Sequence, residues 1–439
     1  MKGRVLIWVE AIRTQLWPLP TVAVVLAVVL GTALPSFEAA AQDQNPGRLD
    51  VLAFSGGPDA ARAVLQSISG SLITVTSLTF SLTVVTLQLA SSQFSPRVLR
   101  TFASDRFVHW TLALFLAAFA FALTVLLNVR DESSSHASFV PEVSVTAAFG
   151  LAIASVIGLV LFLAHLTREI RVETVMRRVN AETQETIDRV FPVERPDQGH
   201  EPANVSPAVL IKSTDSGFLT SVDHDSLLEA ALEAGAVIRI DRQPGGSLIE
   251  GVPFATAWSV TPGATFAPAI REKLSEEVNA AVTAGFERTK VQDVGFGFRQ
   301  LVDVAARALS PGVNDPTTAV HVIGHLSVLL CRLAGRNPGT RNLTDDNRRV
   351  RVVLALPTLP DLLELAMNQP RQYGTADPLV AERLLELLQE LTWCDLNGRY
   401  RTQILDHVGR MRAAISAEDH PPEIRQRLMD LASTISATT

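Results

Sequence analysis

Few side chains in this sequence are spaced so that spacing alone could make chemistry. Arg299, Asp303 and Arg307 recur at i, i+4 and i+8. On a helix they share one face, either as a salt-bridge ladder or as an anion site. Residues 310–316 then read Ser-Pro-Gly-Val-Asn-Asp-Pro, a tight connection. Asp315 suits an N-cap and Pro316 the first helical position, so Asn314 and Asp315 mark a structural or ligand corner. His321 and His325 stand at i, i+4, the spacing by which zinc proteases hold metal. The residues between them, Val322, Ile323 and Gly324, supply no glutamate base, and no third ligand is adjacent. Residues 294–298, Val-Gly-Phe-Gly-Phe, lack the third glycine of a dinucleotide fingerprint, and neither a P-loop nor a G-x-S-x-G is present. These residues nominate no catalytic group, no metal site and no cofactor.

A more regular pattern lies in an apolar stretch. Residues 63–96 contain no Asp, Glu, Lys, Arg or His. Within them Thr76, Thr79, Thr83, Thr86, Ala90 and Gln93 recur at steps of three and four. That spacing puts them on one helix face, as in a heptad seam. At 1.5 Å per residue the stripe is about 25 Å long, most of a bilayer core. Three readings are open. The stripe is a packing seam whose hydroxyls bond back to their own helix. It lines a water-filled pore, one such helix per subunit, with Arg97, Arg100 and Arg106 as a basic ring at the cytosolic mouth. Or it borders a substrate site within one subunit. The stripe carries no ionisable group, which argues against a proton-driven pump.

Helices long enough to hold that stripe must come from the N-terminal part. Charge-poor apolar runs fall near 16–34, 70–94, 108–127 and 143–166, each long enough to cross about 30 Å of hydrocarbon. Lys2, Arg4 and Arg13 precede the first run. Arg97, Arg100 and Arg106 separate the second and third, and Arg168, Arg171, Arg177 and Arg178 follow the fourth. The remaining two loops are acidic, with Glu38, Asp43, Asp50 and Asp59 in one and Asp131, Glu132 and Glu142 in the other. The positive-inside rule then places both termini in the cytoplasm. A rival reading treats the first run as a signal peptide cleaved near Ala39-Ala40-Ala41. In the fourth run Gly150, Ala154 and Gly158 form a small-residue face for close helix contact.

The chain has 439 residues and a net charge of −7. Residues 1–166 hold nine Lys/Arg and nine Asp/Glu, so the whole excess of negative charge lies beyond them. An acidic soluble part excludes nucleic acid as a partner, since that needs a basic footprint. Cys331 and Cys394 are far apart in sequence and read as reduced, buried residues. Residues 167–200 read as an amphipathic connector helix and a linker, and 201–265 as a small β-rich domain with strands near 209–211, 218–222, 237–240, 247–250 and 254–260. The strand order is similar to small biotinyl or lipoyl carrier domains, but no lysine lies between Lys212 and Lys273 to carry a swinging arm. Residues 266–439 read as mostly helical.

Two stretches, residues 77–102 and 297–319, resemble the bacterial predicted membrane proteins defined by domain of unknown function 2254. The resemblance covers nearly the whole chain. It implies a bacterial inner-membrane location and brings no activity or catalytic residue with it. The layout is also similar to that of small-conductance mechanosensitive channels, which differ in span number and have a Gly/Ala-rich pore helix.

The expected fold is therefore a polytopic α-helical membrane protein, with about four transmembrane helices within residues 1–166 and a C-terminal cytosolic α+β domain. The expected partners are the lipid bilayer and further copies of the chain in a homo-oligomer. Two functions follow. One is an oligomeric pore with the second span at its axis. The other is a membrane-anchored ligand-binding or sensory protein, with the permeant ion or ligand left open.

Overall fold

The computed structural model describes residues 15, 17–42, 54–93, 105–130, 139–169, 171–193 and 207–438. The chain divides into two compact units, one over Leu6–Thr174 and one over Val175–Thr439.

The first unit contains four long helices: α1 (Pro18–Gln42), α2 (Pro58–Gln93), α3 (Arg106–Leu126) and α4 (Glu142–Glu169). Helix α2 begins twelve residues before the run that sequence placed near 70–94, with Pro58 and Asp59 in its first turn, where both are favourable. Helix α3 packs against the other three. Leu65, Leu72, Ala118, Phe121, Val125 and Ala148 fill the space between them. At the α1–α3 crossing a Cβ on Gly31 would come within 2.9 Å of the Thr124 side chain, so only glycine permits this approach. The outward faces are apolar as well: Val25, Leu26 and Val29 on α1, Phe80 and Val85 on α2, and Val156, Ile157 and Val160 on α4 are exposed. Helices apolar both inside and out belong in hydrocarbon rather than water.

Polar contacts fasten the ends of these helices. The Glu38 carboxylate accepts from the Val143 and Ser144 backbone N–H groups, at 3.0 and 2.8 Å, and from the Ser144 hydroxyl. A residue of α1 thus caps the N-terminus of α4, where orphan N–H groups and the helix dipole both favour an anion. Asp105 caps α3 through the Phe107 N–H and meets His165 of α4 at 2.6 Å. On α4, Gly158 packs on Leu114 and Phe115, while Gly150 and Ala154 face outward.

In all, five of the described helices are long and apolar enough to cross a membrane, against four read from the sequence. The fifth is α9 of the second unit. Its apolarity has another source, because Leu326, Leu329, Leu330 and Leu333 are fully buried in that unit's own core.

The second unit is entered through the connector helix α5 (Val172–Val190), whose Val175, Met176, Val179, Thr183, Ile187 and Val190 face inward. There follow β1 (Val209–Lys212), β2 (Gly217–Val222), α6 (His224–Glu233), β3 (Ala236–Ile240), β4 (Ser247–Leu248) and β5 (Pro253–Ser259). The chain continues as α7 (Pro268–Ala280), β6 (Val282–Gly285), α8 (Val294–Ala308), α9 (Pro316–Ala334), β7 (Arg341–Thr344) and β8 (Val350–Leu354). Helices α10 (Leu359–Gly374), α11 (Pro378–Cys394), α12 (Arg401–Ala417) and α13 (Pro422–Thr438) complete it.

Strands β1 to β5 lie where alternation and turn residues predict them. The sheets, however, do not end at residue 265. One has the order β1-β5-β3-β8-β7 and the other β4-β2-β6, so β6, β7 and β8 come from the stretch that reads as mostly helical. The β-rich unit and the helical unit are therefore interleaved. The reason is physical: β8 is Val-Arg-Val-Val-Leu, too short to signal against its helical neighbours, yet buried as an interior strand between β3 and β7.

Helix α5 lies close against α8. A Cβ on Gly297 would fall 1.8 Å from the Thr183 hydroxyl, which is itself held by the Val179 carbonyl at 2.6 Å. Asp188 of α5 pairs with Arg332 and Arg336, and Lys290 with Glu182. Gly297→Ala should therefore destabilise the protein by roughly 1–3 kcal/mol through overpacking. Gly409→Ala, in α12 with no atom within 4 Å of the new methyl, should stabilise it by roughly 0.5–1 kcal/mol. Thermal unfolding of both variants checks the opposite signs.

Candidate functional site

Strands β3 and β8 run parallel, with Ile238 beside Val352 and Ile240 beside Leu354. Ala355 donates to the Ile240 carbonyl, extending the ladder by one step. The two chains then part. β3 runs into the turn at 243–246, with Gly245 in the left-handed region, and β8 runs toward α10. In sheets with parallel strands, such a divergence at the carboxyl ends leaves a crevice suited to ligands. Here the crevice is a cavity of about 280 Å³.

Its walls are mostly apolar, with Ile240, Leu354 and Leu356 from the sheet and Val190 from the end of α5. Four basic side chains line it: Arg189 from the last turn of α5, Arg242 after β3, Arg341 opening β7, and His224 opening α6. No carboxylate lines it among the described residues. Arg341 sits opposite Leu354 in the β7–β8 register, which brings it to the carboxyl edge. Arg189 is steadied by the Thr186 hydroxyl at 3.2 Å and the Lys290 carbonyl at 3.5 Å. Gln292 completes the rim: its amide accepts from Val222 N–H at 2.9 Å and donates to Val222 O at 3.1 Å. Burial, followed by the Arg341 charge, depresses the His224 pKa below its ordinary value, so the imidazole is neutral near pH 7.

None of the residues singled out from sequence spacing lines this cavity. Thr76, Thr79, Thr83 and Thr86 form a buried stripe inside the helical unit of a single chain, with Thr79 fully enclosed. The Thr76, Thr83 and Thr86 hydroxyls donate to carbonyls one turn back, at 2.6, 2.8 and 2.8 Å. The Thr79 hydroxyl is buried with no hydrogen-bond partner among the described residues. Burial within one chain and hydroxyls bonded one turn back accord with the packing-seam reading.

Gln93 ends α2, and its side chain lies outside the described residues, as do Arg97 and Arg100. Arg106 opens α3 and is exposed. Arg299, Asp303 and Arg307 lie on α8, and each is engaged by a neighbour. Asn314 adopts a left-handed φ of 48°. Asp315 caps α9, accepting from the Thr318 N–H at 3.1 Å and the Thr318 hydroxyl at 2.6 Å, which holds its carboxyl below the usual range. The corner is built by backbone geometry. His321 is exposed and His325 half-buried, and no cluster of three metal-ligating side chains occurs among the described residues.

The family model described as Predicted membrane protein (DUF2254) matches residues 13–390, most of the chain. The chain belongs to this family. Uncharacterised proteins of Mycobacterium bovis and Mycobacterium tuberculosis are each 35% identical to it over 394 residues, covering 86% of this chain and 72% of theirs. No solved structure matches it. The match includes Arg189, His224, Arg242 and Arg341, so the cavity lies within the portion that defines the DUF2254 family.

Two outcomes follow. Thr79→Val should leave stability unchanged or raise it by about 1 kcal/mol, because it removes a buried hydroxyl without a partner. In a Cys331→Ser, Cys394→Ser background, Thr83→Cys should resist a small water-soluble thiol reagent in intact membranes, whereas Asp59→Cys at the exposed start of α2 should react. Rapid labelling at position 83 would instead reveal a water-filled path.

His224 supplies a pH signature. Its folded-state pKa lies below the unfolded value, so as pH falls through about 6.5 the unfolded chain takes up the proton first and stability declines. The fall in thermal midpoint between about pH 7.5 and about pH 5.5 should be smaller in His224→Gln than in the parent protein.

Proposed function

We propose that this protein is a membrane-anchored ligand-binding or sensory protein. Helices α1 to α4 anchor it in the bacterial inner membrane, and the unit from residue 175 onward holds a small molecule in the cytoplasm. Cytoplasmic termini are supported by the arginines after the second and fourth spans and by the acidic residues in the alternate loops. The observation that carries the reading is the basic, apolar-walled cavity at the diverging ends of β3 and β8.

Ligand pockets are concave, mostly apolar, and carry a few convergent polar groups. This cavity has that composition, and its size fits a metabolite rather than a peptide or an acyl chain. The threonine stripe supports an anchoring role for the spans, since it is consumed in packing within one chain. The last turn of the connector helix contributes Arg189 and Val190 to the cavity wall. Ligand occupancy would thus be felt by the helix that follows the fourth span, which is the arrangement a sensor needs.

The test is thermal unfolding of the full-length protein in detergent against a library of neutral, anionic and cationic metabolites. At least one compound should raise the midpoint saturably, and Arg341→Met should abolish the shift. If no compound shifts the folded protein, the ligand-binding reading is wrong.

A further inference from the structure

We infer that the cavity is a site for an organic phosphate, a small metabolite whose phosphate group is carried on a compact apolar or aromatic body. The inference rests on the ligand-binding reading above and specifies its ligand.

Charge is the first argument. Arg189, Arg242 and Arg341 bring three permanent positive charges to one cavity of about 280 Å³, and no carboxylate lines it among the described residues. Three other half-buried arginines of this unit face carboxylates: Arg288 meets Asp293 at 2.7 Å, Arg351 meets Asp345 at 2.9 Å and Arg383 meets Glu390 at 2.8 Å. Arg341 is also half-buried, but the titratable group beside it is the neutral His224. Neither Arg341 nor Arg242 makes an ion pair among the described residues. For the half-buried Arg341, a guanidinium partly out of water with no counter-charge is unfavourable, and an incoming anion relieves that cost.

The residue type is the second argument. Arginine presents a planar fork of donors that matches phosphate oxygens two at a time, whereas lysine acts as a point charge. All three permanent cations here are arginine. They come from α5, from the segment after β3 and from β7, so they approach from different directions, as a tetrahedral group with several oxygens requires. A planar monocarboxylate would satisfy one fork and leave the others unmatched.

The walls are the third argument. Val190, Ile240, Leu354 and Leu356 offer surface that a bare phosphate ion cannot use. Burying an apolar body against them adds roughly 25 cal/mol for each Å² removed from water. The size excludes a polynucleotide and leaves a small phosphorylated metabolite.

Calorimetry on the full-length protein in detergent, with phenyl phosphate, inorganic phosphate and benzoate as probes, tests the assignment. Phenyl phosphate should bind about tenfold or more tightly than either of the others, since each lacks one half of the recognition. Arg341→Met should weaken it by about tenfold or more. Arg242→Gln, at an exposed side chain with no partner among the described residues, should do the same while leaving the unfolding midpoint in place, so misfolding cannot explain the loss. Phenyl phosphate binding no better than benzoate, or binding equally well to both arginine variants, would overturn the assignment. Inorganic phosphate binding as tightly as phenyl phosphate would also overturn it, marking a bare anion site. If a neutral or cationic library compound binds and phenyl phosphate does not, the ligand class is wrong and the ligand-binding reading stands. If nothing binds the folded protein, both fall.

Discussion

Parallel pairing between β3 and β8 is the constraint on which the C-terminal unit depends. Parallel neighbours cannot be joined by a hairpin, and a long crossover must intervene. Here residues 241–349 lie between Ile240 and Val350, and they build β4, β5, α7, β6, α8, α9 and β7 on the way. Sheet and helices are thereby locked into one body. The same pairing aligns two strand ends at one edge, from which the chains depart differently. Arg189, His224, Arg242 and Arg341 are far apart in sequence and meet only because that edge exists.

The membrane unit is governed by different physics. Lipid tails are as apolar as leucine, so burial gives helices little reason to associate there. Close approach and satisfied polar groups must do it. Gly31 lets α1 reach α3, Gly158 lets α4 reach Phe115, and three of the four buried threonines satisfy themselves on their own helix. The stripe is polar in composition and nearly inert in effect, which is why its periodicity alone could not separate a seam from a pore.

Much of the architecture is legible locally. Apolar runs mark α1 to α4, alternation marks β1 to β5, and Asp223 and Asp315 announce the helices they cap. These signals work because each is a property of neighbouring residues. β6, β7 and β8 escape notice because they are four or five residues long; β6 and β8 are stabilised by β2 and β3, more than 50 residues away, and β7 pairs only with β8. The cavity escapes for the same reason: Arg242 beside a Pro-Gly-Gly turn looks like any surface arginine. Conversely, the spacing at Arg299, Asp303 and Arg307 puts them on one face of α8, away from the cavity. Gly297 stands in a Gly-x-Gly pair, but its meaning is a helix crossing, visible only once Thr183 is placed beside it.

Glu38 bears on how the protein is made. Its carboxylate sits near the end of the first long helix, yet its partners, the Val143 and Ser144 N–H groups, begin the fourth. More than a hundred residues, including two complete hydrophobic helices, must be synthesised and inserted before that acceptor meets its donors. Until then the first helix waits in the bilayer with its carboxylate unengaged, and the fourth cannot seat its leading turn without it. Assembly therefore closes a ring rather than extending a row. Removing the first helix, by proteolysis or truncation, would unseat the last one rather than merely shorten the bundle.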